Sequence, residues 1–271
     1  MKLALVLSTV DAAFDALAFK GDLTKGVMMA KDIGYDAVEI AIRDPKVIDV
    51  VQLKSLLDEL HMPVVAVGTG QAYLAEGLSV TDADTSVRHR AMERLKSHID
   101  FASFFGAKVI VGLVRGKKGK RSLDETLRLF IESVGELADY AKEKGVELVV
   151  EPLNRYETDF LNTLKEVRHV LELLKRDNVG ILADTFHMNI EEANIEESLK
   201  ECASWIKHLH VADSNRWAPG AGHLNFDSIF RALCEIGYNR FISVECLPLP
   251  GGTEEAARLA FKTLQRFLKK L

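Results

Sequence analysis

Short apolar, β-branched runs alternate with longer amphipathic stretches eight times along the chain, and this alternation constrains the fold more than any single motif. The runs read as strands over Leu3–Leu7, Ala37–Ala41, Val64–Val67, Lys108–Gly112, Glu147–Glu151, Val179–Asp184, His208–Ala212 and Phe241–Glu245. Helical stretches follow at about 22–33, 50–60, 86–105, 123–144, 163–176, 195–204, 226–236 and 253–270. Strict alternation implies parallel strands joined by right-handed crossovers. The strands are apolar on both faces, as needed when helices cover one side and a packed interior the other. Eight units in 271 residues predict an α/β fold, a single parallel (β/α)8 TIM barrel, with 1–271 as one domain. An open doubly wound sheet fits the alternation too. However, no G-x-G-x-x-G follows the first strand, which argues against a dinucleotide-binding fold.

The punctuation agrees with the periodicity. Gly34, Gly106, Gly145 and Gly237 each fall between a helix and a strand, where a left-handed residue closes the helix at least cost. Ser122-x-x-Glu125 and Thr163-x-x-Glu166 have the form of capping boxes at helix starts.

Composition narrows the function classes. A net charge of −5 and a pI near 5.9 oppose nucleic-acid binding, which favours a basic face. No apolar run reaches the roughly 20 residues of a membrane span. The first apolar stretch is broken by Ser8, Thr9 and Asp11 and reads as a strand rather than a leader. We therefore expect a cytoplasmic protein with neither nucleic-acid nor membrane partners. Cys202, Cys234 and Cys246 are odd in number and widely spaced, as reduced thiols are.

In a (β/α)8 barrel the chemistry sits at the carboxyl ends of the strands. The last four predicted strands carry Glu151, Asp184, His210 and Glu245 at or near those ends. The chain holds 40 acidic residues and eight histidines, so composition alone does not supply that run. Carboxylates at the mouth of a packed barrel need a partner. Three carboxylates and an imidazole form an oxygen-rich set suited to one divalent ion, Mn2+, Mg2+ or Co2+, rather than to structural zinc. A salt-bridge network with Arg or Lys is the alternative. The first four strands end in Ser8-Thr9, Ala41, Val67-Gly68 and Gly112, which confines the chemistry to one half of the mouth.

The segments VVEPLNRYETDFLNT (149–163), ILADTFHMNIEE (181–192), HLHVADSNRWAPGAGHLNF (208–226) and FISVECLPLP (241–250) resemble the ketose 3-epimerase family. That group, which includes D-tagatose 3-epimerase and D-psicose (D-allulose) 3-epimerase, lies among the xylose-isomerase-like barrels. The resemblance is densest from about 147 to 250. It implies that Glu151, Asp184, His210 and Glu245 ligate the metal, with Mn2+ favoured and no organic cofactor. It further implies that Glu151 and Glu245 form the catalytic acid/base pair. His187 and Arg216 would hold the sugar's oxygens, and Glu157 would bond its O1 end. The implied reaction removes the proton at C3 of a ketose and returns one to the opposite face, through an enediolate stabilised by the metal. The implied partner is a small ketose, and the implied assembly a homodimer or homotetramer.

Other features keep two readings each. The run Arg115-Gly-Lys-Lys-Gly-Lys-Arg121 reads as a phosphate clamp for a sugar phosphate or as a solvated loop. Arg216 holds substrate or pairs with Asp213 or Asp184. His223 and Asn225 shape a loop and cap the following helix, or touch substrate. Phe14 and Trp217 wall a pocket or merely pack. Among whole-protein alternatives, a DNA-repair nuclease of the AP-endonuclease branch would need more histidines around the mouth and a less acidic chain. A non-catalytic sugar-binding barrel would tolerate loss of either carboxylate, yet both are present. An aldose–ketose isomerase, a ketose-phosphate epimerase or a 4-epimerase could use the same residues.

Overall fold

A computed structural model describes residues 1–13 and 16–269. Its sheet consists of eight parallel strands: β1 (Lys2–Ser8), β2 (Ala37–Ala41), β3 (Val64–Gly68), β4 (Lys108–Val111), β5 (Leu148–Val150), β6 (Val179–Asp184), β7 (Ile206–Val211) and β8 (Phe241–Val244). Each pairs with the next in sequence, and β1 pairs with β8 through Leu3↔Ile242 and Leu5↔Val244, which closes the barrel. A two-residue strand, Phe19–Lys20, lies beside the end of β1.

Strand residues alternate between two environments, as the pleat requires. Leu3, Leu5, Leu7, Val38, Ile40, Val109, Val111, Leu209, Val211, Ile242 and Val244 pack outward with the helices in one continuous core. The opposite parity points inward. There, Ala66, Ile110, Val149 and Leu182 form one small cluster, and Val6 and Ala41 form another with the loop residues Ala12 and Leu17. Alanines among these inner residues leave room for a few polar side chains. Glu39, His208, His210 and Ser243 occupy it, all buried.

The glycine stops behave as expected. Gly34, Gly106, Gly145 and Gly237 all have positive φ, between 64° and 110°. Thr163 and Glu166 form a reciprocal capping box at the start of helix Leu164–Leu174, whereas Ser122 only accepts from the Glu125 amide. Two helices escape the periodicity: Gly70–Glu76 after β3 and Thr185–Glu191 after β6. Both span seven residues, under two full turns, which leaves an amphipathic pattern little length to register. Both sit on the catalytic face. Among the described residues, no helix is long and apolar enough to cross a membrane.

Replacing Thr163 with Ala removes the side-chain acceptor for the Glu166 amide. It should lower unfolding free energy by about 1 kcal/mol with an unchanged m-value in urea. A loss under a few tenths of that would show that packing alone holds this helix start.

Candidate metal centre and active site

The four strand-end residues converge. One ligand atom from each of Glu151, Asp184, His210 and Glu245 lies within 4.8 Å of the others. His210 Nδ1 is 3.8 Å from Glu151 Oε1, 3.9 Å from Asp184 Oδ2 and 3.7 Å from Glu245 Oε2. These are too long for hydrogen bonds. They leave a space between the four atoms.

Each side chain is aimed by its surroundings. Asp184 ends β6 and caps the short helix Thr185–Glu191: its Oδ1 accepts from the Phe186 amide at 2.7 Å and the His187 amide at 3.3 Å. That turns Oδ2 toward the centre. Glu151 stands against Gly112, where a Cβ would fall 2.7 Å from its Oε2. Its backbone carbonyl accepts from Arg115 Nη1, and the same guanidinium donates to the carbonyls of Phe160 and Leu161. Glu245 follows β8 and faces Arg216 Nη2 at 3.4 Å. His210 is held from below, its Nε2 lying 2.9 Å from Glu39 Oε1.

Burial and mutual repulsion shift these groups. Burial, then Glu245, raises the Glu151 carboxyl well above the ordinary carboxylate range. The same two causes push Asp184 up to about 6. His210 is buried but faces Glu39 and Glu245, and their charges lift it well above the ordinary histidine range. Two atoms facing the space, Glu151 Oε1 and His210 Nδ1, are buried without a hydrogen-bond partner. Buried polar atoms normally have one. Three crowded carboxylates, an imidazole and two unpartnered buried atoms facing one space fit one divalent cation.

The pocket above continues this division. Its lining carries Glu157, His187 and Arg216, from the loops after β5 to β7, and Leu17, Leu74, Ile110 and Leu113, from the ends of β1, β3 and β4, with Thr69, Gln71 and Leu153. His187 Nδ1 accepts from the Asn154 amide at 3.2 Å and sits 2.8 Å from Asn154 Nδ2. The ring proton is therefore on Nε2, itself buried without a partner and 3.9 Å from Glu151 Oε1. Burial, then the Arg216 charge, pushes His187 well below the ordinary range, so it is a neutral donor. Arg216 pairs with Glu157 at 2.6 Å and with Glu245, rather than with Asp213 or Asp184, and lies 4.8 Å from the Phe186 ring centre. Asp213 instead ties the loop beneath it, accepting from the amides of Ser214, Gly220 and Leu224. Arg216 itself has a φ of 63°, a left-handed conformation that the loop must hold in place.

A family model for the xylose isomerase-like TIM barrel matches residues 27–267. The chain belongs to that family. It is 33% identical over 216 residues to a ketose 3-epimerase of Arthrobacter globiformis, covering 79% of this chain and 73% of that one. It is 32% identical over 242 residues to an L-ribulose 3-epimerase of Methylomonas sp. (strain DH-1), covering 85% and 82%. The crystal structure of a D-allulose 3-epimerase from Methylomonas sp. in complex with D-allulose superposes with a TM-score of 0.84 at 27% identity, over 100% of this chain and 98% of that one.

Within this xylose isomerase-like barrel, some residues read as site candidates lie elsewhere. Trp217 is 39% exposed and does not line the pocket. Phe14 lies outside the described residues. His223 bonds Ser214 Oγ, and Asn225 caps helix Phe226–Glu235, as a loop-shaping role requires. The basic run divides: Arg115 is fully buried on backbone carbonyls, while the amides of Lys118 and Gly119 donate to Asp159. A carboxylate thus takes the amides that a phosphate would need. Asn154 and Glu39 went unforeseen. The signal for Glu39 was there, a lone carboxylate inside the apolar strand AVEIA.

The Asp184 shift carries a pH consequence. A carboxyl raised from 3.8 to about 6 stabilises the metal-free fold at low pH, and that contribution is lost as pH rises through about 6. A bound cation needs the carboxylates ionised. Differential scanning calorimetry should therefore show the gap in melting temperature between Mn2+-loaded and chelated protein widening as pH rises through about 6. A gap independent of pH would contradict a cation on Asp184.

Proposed function

We propose that this chain is a metal-dependent epimerase that inverts C3 of a free ketose, with Glu151 and Glu245 as the acid/base pair. The observation that carries the reading is the placement of these two carboxylates. They flank one space, beside a donor histidine, at the floor of a pocket that is polar on one side and apolar on the other. Glu151, Asp184, His210 and Glu245 would hold the cation, for which we favour Mn2+ over Co2+ or Mg2+. Bound there, it supplies Lewis-acid stabilisation of the negative charge that develops on the substrate's oxygens.

The remaining work falls to the chain's own residues. C3 of a ketose carries an acidic proton because it adjoins the carbonyl carbon. One glutamate takes that proton from one face, and the other returns a proton to the opposite face. Which acts first follows from the configuration at C3. The neutral His187 Nε2–H donates to a substrate oxygen, and Arg216 adds positive charge beside it. Glu157 holds the Arg216 guanidinium and has its second oxygen to accept from the O1 hydroxyl. The leucines opposite cover the carbon skeleton and exclude water.

A free ketose is favoured over a sugar phosphate. Among the described lining residues Arg216 is the one permanent cation, and it already faces Glu157 and Glu245.

Chelator-stripped enzyme should be offered D-tagatose, D-psicose, D-fructose, L-ribulose and their phosphates in D2O, with and without Mn2+. The expected result is Mn2+-dependent inversion with one deuterium at C3, reduced roughly 10²–10⁴-fold in Glu151→Gln and in Glu245→Gln. Aldose products would point to an isomerase and inversion at C4 to a 4-epimerase. No exchange with any ketose would overturn the reading.

A further inference from the structure

Beneath the four-residue centre lies a second buried group, Glu39, His208 and His210. Its polar contacts are already made. Glu39 Oε2 is 2.8 Å from His208 Nε2 and 3.1 Å from His210 Nε2, while Oε1 is 2.9 Å from His210 Nε2. Ser243 Oγ adds a contact to His208 Nε2 at 3.1 Å. These side chains fill the barrel interior and have no opening of their own, since Glu39 and both histidines are about 1% exposed. A cation here would have to break hydrogen bonds, whereas above it Glu151 Oε1 and His210 Nδ1 have no partner. The lower group is therefore a support for the upper one.

A carboxylate only accepts, so each histidine facing Glu39 must carry its proton on Nε2. For His210, once a cation takes the place of any proton on Nδ1, the Nδ1 lone pair faces the centre, and the charge behind the ring strengthens that lone pair as a donor. The second acceptor bond, from His208, pins Glu39 on its far side. Neither ring can then tip without breaking a bond inside the barrel, where all three side chains are buried.

We propose that Glu39, braced by His208, is a positioning residue that makes His210 meet the cation through Nδ1 and sets the cation affinity without touching the ion. The proposal rests on the metal-centre reading above, though not on which sugar is turned over. Glu39→Gln keeps the volume but replaces one acceptor oxygen by an NH2 group. That group needs an acceptor, and a histidine Nε2 already stands within hydrogen-bond distance of either oxygen it could replace. If His210 supplies it, its proton moves to Nδ1 and the lone pair facing the ion is lost.

The test has two readouts. The first is titration of chelator-stripped protein with Mn2+ against a fluorescent chelator. Wild type should bind one ion per chain, and Glu39→Gln should bind roughly 10–100-fold more weakly, while the metal-free melting temperatures of the two stay close. Equal affinity in a folded Glu39→Gln protein would overturn the proposal. Failure of wild type to bind Mn2+ would remove the centre itself. The second readout uses wild type loaded with Co2+ and so does not depend on how the variant folds. Coordination through Nδ1 puts a hyperfine-shifted, slowly exchanging proton on His210 Nε2, screened by Glu39. The same proton found on Nδ1, with Nε2 on the ion, would refute the arrangement.

Discussion

Three carboxylates at one end of a barrel repel one another, and the architecture of the mouth follows from holding them there. Glu151 and Asp184 are buried, and the Glu245 side chain is 14% exposed. Water therefore screens them little, and each raises the cost of ionising its neighbours. The opposing forces come from fixed parts of the fold: two amides of a short helix on Asp184, the Arg216 guanidinium beside Glu245, and the His210 ring in the middle. None of these neutralises the cluster completely. A divalent cation bound there would, and its binding would then add to fold stability at this end of the barrel.

The closed barrel makes that concentration of charge affordable by dividing its mouth. Strands β1–β4 end in small or apolar residues and contribute Ala41, Gly68 and Gly112 to the pocket floor, with leucines above them. Strands β5–β8 bring the titratable groups. Arg216 balances Glu157 and Glu245, and a loop tied by Asp213 holds its strained backbone.

The barrel and its polar half are legible in the sequence because both follow from short periods. Alternation of strands and helices, glycines at helix ends and the acidic strand termini each need only a few consecutive residues to be recognised. Glu39 and His208 are harder to read, since their roles depend on which face of a strand points inward and on contacts 169 residues apart. The helices Gly70–Glu76 and Thr185–Glu191 leave little length for a periodic signal, although Asp184 is itself a good N-cap residue. Arg115 illustrates the limit of composition. Grouped with four other basic residues it suggests an anion site, but its side chain turns into the core to hold the backbone around Glu151.

The central claim is that one divalent ion sits among Glu151, Asp184, His210 and Glu245. Anomalous diffraction at the manganese edge, from crystals grown with Mn2+, tests it directly. The geometry predicts a single strong peak per chain at bonding distance, roughly 2.0–2.3 Å, from His210 Nδ1 and the three carboxylates, with Glu39 outside that shell. A peak between Glu39 and the two histidines, or none at the mouth of the barrel, would contradict it.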